Sequence, residues 1–201
     1  MGRVSEARQR ILESARGLIY SRSYAGVGVQ EICERARVKK GSFYHFFPSK
    51  RDLTLAVLDE CRAHSLEIIA RAFAPGIPPL ARLDRYVEMG YETQVRIKKE
   101  TGHMPGCPFS NLASELSTQD EVIRKRLDGI FRDLAAPIEQ ALRDAVEEGA
   151  LPNIDIRTSA QAVLAYWEGV VLLAKTRNDP RLILKLGKNT VPLLKPAGKA
   201  R

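Results

Sequence analysis

Residues 26–53 read GVGVQEICERARVKKGSFYHFFPSKRDL, and the fold turns on how this stretch is parsed. Val29, Ile32, Cys33 and Ala36 recur at helical spacing and mark the apolar face of a short helix. Lys40 to Phe46 forms another, which Pro48 stops because proline cannot continue the hydrogen-bond ladder. Two short helices joined by a tight turn, the later one basic and polar at its start, suit a recognition helix laid in a DNA major groove. On that helix Lys39 and Lys40 bring positive charge, Gly41 lets the backbone approach closely and Ser42 offers a hydroxyl. Tyr44 and His45 can reach phosphate or base edges, while Phe43 and Phe47 pack inward. Two cations at a helix N-terminus sit at its unfavourable end, so an external anion explains them better than a merely solvated face. Lys50 follows at the start of the next helix, where its ammonium and the free backbone N–H groups together could grip a phosphate.

Upstream, Ile11, Ala15, Leu18 and Ile19 define one face of a helix from Glu6 to Arg22, broken by the segment Tyr24 to Gly28. Three short helices therefore fill the first 47 residues. Downstream, Ser49 with Asp52 predicts a capped fourth helix to about residue 70, ended before the Pro75 to Pro79 break. A fifth helix is expected from about Leu80 to Lys99, and a sixth from Pro108 to near Ser117 after the break Thr101 to Gly106. Thr118 with Glu121 reads as a capping box for a long seventh helix, kinked at Pro137 and ended by Gly149. The eighth, from about Ile156 to Lys175, contains VLAYWEGVVLLA, apolar almost all round, which a single small subunit cannot fully cover. A second subunit supplies the cover, so the seventh and eighth helices are expected to form an intersubunit bundle. A last helical stretch starts at Asp179 or Pro180, and Lys195 to Arg201 is expected to be a disordered tail. No strand and no internal repeat is expected.

The charge is lopsided. Met1 to Arg51 holds 11 Lys and Arg against 4 Asp and Glu, whereas the remaining 150 residues balance to within one charge. A basic module on a nearly neutral body calls for an anionic partner, and a nucleic-acid backbone is the commonest. A membrane is the poorer partner, because no apolar run approaches the ~18 residues of a spanning helix. The polar start MGRVSEARQR lacks the apolar segment of a secretory signal, which points to the cytoplasm. Cys33, Cys61 and Cys107 are odd in number and lack metal-ligand spacing, so free thiols are expected, with no metal and no cofactor.

The quoted stretch resembles the helix-turn-helix signature of the TetR (tetracycline repressor) family. The resemblance runs from about Arg8 to Leu58 and includes the Gly-Ser-Phe-Tyr-His block and the Phe-Pro-Ser-Lys junction. It implies an all-helical homodimer, an effector pocket in the C-terminal body and operator release when that pocket fills. Position by position, Gln30, Lys40, Gly41, Ser42, Tyr44, His45 and Lys50 match places where the family touches DNA. Three departures concern the turns. Gly28 stands where a Ser or Thr cap is usual, Arg37 replaces the common turn glycine and must accept a left-handed or otherwise strained backbone, and Lys39 replaces the usual Ser or Pro.

A shorter resemblance covers Gly106 to Ser117, which is similar to the Gly-Cys-Leu…Asn-Leu-Ala…Glu-Leu pattern of one TetR subgroup. That subgroup includes regulators answering to reactive electrophiles or small unsaturated acids. If Pro108 opens a helix, Cys107 is its N-cap, where the helix end stabilises a thiolate. Against this stands a plain reading in which Cys107 is a small hydrophobe beside a pocket. Beside Cys107, the resemblance places His64, Tyr86, Met89, His103, Asn111, Phe131 and Trp167 on elements that line the family's pocket, without saying which face inward.

The expectation is an all-α chain. A three-helix helix-turn-helix module in residues 1–48 binds double-stranded operator DNA, and an effector-binding and dimerisation body occupies residues 49–201. Two recognition helices about 34–36 Å apart would then read a near-palindrome. Two rival classes remain at this level. One is a small enzyme using Cys107 as nucleophile, which His103 alone does not support because no third group orients it. The other is a nonspecific basic DNA coat, which would bind with steep salt dependence and little preference for sequence.

Overall fold

The computed structural model describes residues 2–194, with side chains from Glu6 onward; the tail expected from Lys195 to Arg201 lies outside the described residues. Among the described residues every regular element is a helix. They run α1 (Gly2–Ser21), α2 (Val29–Ala36), α3 (Lys40–Phe46), α4 (Lys50–Ala72), α5 (Pro79–Thr101), α6 (Pro108–Leu116), α7 (Glu121–Glu147), α8 (Ile156–Thr176), α9 (Arg181–Gly187) and α10 (Thr190–Leu194). Pro79 and Pro108 open helices that need no N–H from their first residue. The first helix begins at Gly2, ahead of the expected Glu6. The long α7 runs through Pro137.

The caps show how side chains end these helices. The Asp52 N–H donates to Ser49 Oγ at 3.1 Å, and that hydroxyl donates onward to the Asp52 carboxylate at 2.6 Å, fixing the start of α4. Asp155 caps α8 by accepting the Thr158 N–H at 3.1 Å. At α7 the expected Thr118 cap is corrected. Asp120 accepts the N–H groups of Val122 and Ile123 at 3.0 and 3.1 Å, because the chain keeps turning after α6 and brings Asp120 N–H back to Leu116 O at 2.9 Å. Gly28 starts α2 without a side-chain cap. Arg37 ends it with φ 54° and ψ 49°, the left-handed conformation expected where a glycine is more usual. Arg10 steadies the same end by donating its Nε–H to Ala36 O at 3.1 Å.

The chain divides into two compact units. The first gathers the residues up to His64 with Pro108–Gly129; the second gathers Ser65–Cys107 and the residues from Ile130 onward. In the first unit α1 packs on α2 and α3 through Ile11, Leu12, Ala15, Leu18 and Ile19. Ile32, Cys33, Phe43 and Phe47 from the helix-turn-helix are buried, as are Leu53 of α4 and Phe109, Leu112 and Leu116 of α6. Full burial of one such aromatic is worth roughly 3 kcal/mol, so Phe43 alone does much to anchor α3.

The second unit is built around Val87, Met104, Val170, Val171, Ala174 and Ile183. α9 lies against both α5 and α8. That closeness depends on Gly187, where a β-carbon would come within 2.3 Å of Val87 Cγ1. Arg82 ties α5 to α7 by donating to Asp144 Oδ2 at 2.5 Å.

Candidate nucleic-acid interface and the core around Cys107

α3 presents two faces of opposite character. Phe43 and Phe47 are buried, their rings 6.1 Å apart, and the Arg8 guanidinium lies 5.3 Å over Phe47. On the other side Lys39, Lys40, Gly41, Tyr44 and His45 are exposed, and Ser42 is half-buried. Tyr44 leaves 51% of its surface in water although its ring is held edge-on to Phe43 at 5.1 Å. No acidic residue stands in the first turn of α3.

Gln30 on α2 is also exposed, its Nε2 donating to Glu34 Oε1 at 2.8 Å. Lys50 is placed differently. It is half-buried; its ammonium donates to the Tyr24 carbonyl at 2.5 Å and lies 4.0 Å over the Tyr24 ring. Burial pulls its pKa down, and the Glu115 carboxylate opposes that pull. The same tyrosine is held from a third direction, since Glu115 accepts the N–H of Tyr24 at 2.8 Å and of Ala25 at 2.7 Å. In the sequence Glu115 stands out only as part of the Glu-Leu pattern. Tyr24 and Glu115 are separated by 91 positions, so no local spacing could have paired them.

In the second unit Cys107, Tyr86 and Trp167 come together. Cys107 and Trp167 pack on the Val170 cluster. Tyr86 and Trp167 have ring centroids 4.9 Å apart, and Phe73 flanks Tyr86 at 5.8 Å. Burial, then Glu168, then Cys107 push the Tyr86 phenol far above its ordinary range, so it is a neutral hydroxyl at any physiological pH. The loop that leads to Cys107 is pinned along its length. The Thr101 hydroxyl donates to His103 O at 2.8 Å, Met104 N–H to Asn178 Oδ1 at 2.9 Å, and Gln94 Nε2 to Gly106 O at 3.2 Å. The buried Gln94 Oε1 has no hydrogen-bond partner among the described residues.

The other expected pocket residues are more scattered. Met89 and Phe131 are half-buried in the second unit, His103 is exposed there, and in the first unit His64 is exposed and Asn111 half-buried. All three thiols are unbridged. Burial raises the Cys33 thiol and pushes Cys61 up to about 11, which keeps both protonated and poorly nucleophilic near neutrality. Among the described residues no group of three or more His, Cys, Asp or Glu could hold a metal ion, and no helix is long and apolar enough to cross a membrane.

A helical head that buries one face of a short helix and offers the other, cationic and aromatic, to solvent defines a helix-turn-helix DNA-binding regulator. Residues 11–57 match the family described as bacterial regulatory proteins, tetR family, and residues 79–186 match the tetracyclin repressor-like C-terminal domain. The chain therefore belongs to the TetR family of transcriptional regulators. It is 33% identical over 180 residues to the transcriptional regulator AcuR of Cereibacter sphaeroides, covering 88% of this chain and 80% of that one. A crystal structure of a TetR regulatory protein from Rhodobacter sphaeroides superposes with a TM-score of 0.83 at 31% identity, covering 92% of this chain and 96% of the other. The Escherichia coli repressor NemR, in a crystal structure described as its reduced form, gives a TM-score of 0.77 at 26% identity, covering 95% and 100%.

Proposed function

We propose that the chain is an effector-released repressor that binds a near-palindromic operator as a homodimer, with residues 1–48 as the DNA-binding module and residues 49–201 as the sensing and pairing body. The observation that carries the DNA assignment is the two-faced α3, anchored by Phe43 and Phe47 and outwardly bearing Lys39, Lys40, Tyr44 and His45. Gln30, Gly41 and Ser42 complete the contact surface, and Lys50 adds a phosphate contact from its seat on Tyr24. Footprinting on a duplex selected by the protein from a random pool tests this. A protected symmetrical tract is expected, and protection without symmetry or sequence preference would leave only the nonspecific DNA coat.

Pairing is supported by α8. Ala162, Ala165, Gly169, Leu172 and Leu173 are exposed along one side of it, and Leu172 and Leu173 leave 58% and 47% of their surfaces in water. Small residues followed by two leucines suit close packing against a second α8.

For sensing we propose Cys107, with Tyr86 and Trp167 framing the effector; Met89, Asn111, Phe131, His64 and His103 are secondary candidates. The effector class is a small α,β-unsaturated carbonyl compound. The sulfur adds to the β-carbon as the S–H bond and the C=C π bond break, forming one S–C bond, and the thiol proton ends on the α-carbon, leaving a saturated thioether. The raised pKa values of Cys33 and Cys61 make those thiols poor nucleophiles, which favours Cys107, and so does the relative whose structure is described by redox state. The protein acts in the cytoplasm, where thiols stay reduced. Mass spectrometry after treatment with N-ethylmaleimide should find one adduct at Cys107 per subunit, with loss of operator binding that Cys107→Ser abolishes. Catalytic turnover of the electrophile would instead favour the enzyme.

A further inference from the structure

Glu115 stands ninety residues away from the turn it holds. Its two carboxylate oxygens accept the adjacent N–H groups of Tyr24 and Ala25, at 2.8 and 2.7 Å, in the turn that joins α1 to α2. These amides lie between helices and have no helical carbonyl to bond, so a two-oxygen acceptor fixes both at once. The carbonyl of the same Tyr24 takes the Lys50 ammonium, whose charge also sits over the Tyr24 ring. One residue of the turn is thus held by α6 through its N–H and by the start of α4 through its C=O and ring. Gly26 N–H closes the turn on Ser23 Oγ at 3.0 Å.

Fixing this turn fixes the entry of α2, and α2 with its left-handed exit at Arg37 sets the direction of α3. The Leu116 neighbour of Glu115 is buried, and Phe109 and Leu112 anchor the rest of α6, so the carboxylate is delivered from a rigid support. We propose that Glu115 is a positioning residue for operator binding: it never touches DNA, but its carboxylate clamps the α1–α2 turn and so sets the angle at which the recognition helix is offered. This rests on the reading of the first unit as the DNA-binding head.

Two variants separate a clamp from a plain charge. Glu115→Asp keeps the negative charge but is a methylene too short to reach both amides. Glu115→Gln keeps the length but loses the charge and one acceptor. Removing a negative charge near DNA by itself raises affinity, so the two explanations predict opposite signs for Glu115→Gln. The clamp predicts that both variants bind the selected operator more weakly, Glu115→Asp by roughly tenfold, the scale of one lost charge-assisted hydrogen bond. The salt dependence should stay at the wild-type slope, because no phosphate contact is removed. Tighter binding by Glu115→Gln, or unchanged binding by both variants with wild-type helicity and dimer mass, overturns the proposal. If the wild-type protein selects no operator at all, it is the DNA-binding reading that fails. Amide exchange in the wild-type chain is an independent test that needs no variant. Tyr24 and Ala25 N–H should be protected, and exchange at open-loop rates would show that the clamp does not exist.

Discussion

The indole of Trp167 rests on the bare backbone of Gly90, so closely that a β-carbon there would fall 2.3 Å from its Cη2. Gly90 lies one helical turn after Tyr86 and one before Gln94 on α5, so the missing side chain makes room for the ring between them. Gly90→Ala must therefore displace Trp167 and loosen its contact with Tyr86. A loss of about 1–3 kcal/mol is expected for such overpacking. Trp167 is the single tryptophan of the chain, so its emission should shift to the red with the drop in melting temperature. Unchanged emission and melting would show that the ring is not seated on Gly90.

Arg37 supplies the opposite experiment. Its left-handed backbone is strained for a residue with a β-carbon, and glycine relieves that strain. Arg37→Gly should stabilise the protein by about 0.5–1 kcal/mol, net of the greater entropy that glycine brings to the unfolded chain. Urea unfolding measures this directly, and a lower midpoint would mean that the arginine side chain contributes more than its backbone costs.

Tyr44 and Lys50 should behave differently although both are proposed to serve DNA. Tyr44→Ala removes an outward ring and should weaken operator binding by roughly tenfold or more, the scale of one lost base or stacking contact, while leaving the melting temperature nearly unchanged. Lys50→Ala should weaken binding and also lower stability, because it strips Tyr24 of a cation over its ring and a donor on its carbonyl. Equal melting temperatures for the two variants would contradict the seat described for Lys50.

The thiols give a pH-dependent prediction. Burial raises the Cys61 pKa from 9.0 to about 11, so the folded state holds that proton longer than the unfolded chain does. The sign follows from linkage: stability is fully retained below pH 9, and the folded state loses ground as pH climbs from 9 towards 11. Maleimide labelling at pH 7 should accordingly spare Cys33 and Cys61 in the native protein and reach them once it is unfolded. Labelling of Cys61 in the folded protein as fast as in denaturant would show that the fold does not hold its thiol protonated.

Much of this architecture could be read from neighbours in the chain. Periodic apolar residues, Pro79, Pro108 and Ser49 are local signals, and the inward turn of Phe43 and Phe47 follows from helical spacing once α3 is recognised. The strained backbone at Arg37 is legible only through the family resemblance, which marks its position as one where a glycine is usual. The Asp120 cap was not, since it depends on how far the turn after α6 continues. Nor was the grip of Glu115 on Tyr24 and Ala25, because hydrogen bonds across ninety residues leave no trace in spacing. For the same reason the sequence could name Tyr86, Cys107 and Trp167 as candidates without showing that these three meet.

Leu172 and Leu173 carry a cost for a subunit on its own. A solitary protomer would present both leucines, with Ala162, Ala165 and Gly169 beside them, as a bare hydrocarbon strip. Under the proposed pairing, scarcity of the protein then becomes a second way to empty the operator. Below the dissociation constant for self-association, occupancy falls with the square of subunit concentration, so a cell making few copies would derepress its target with no inducer present.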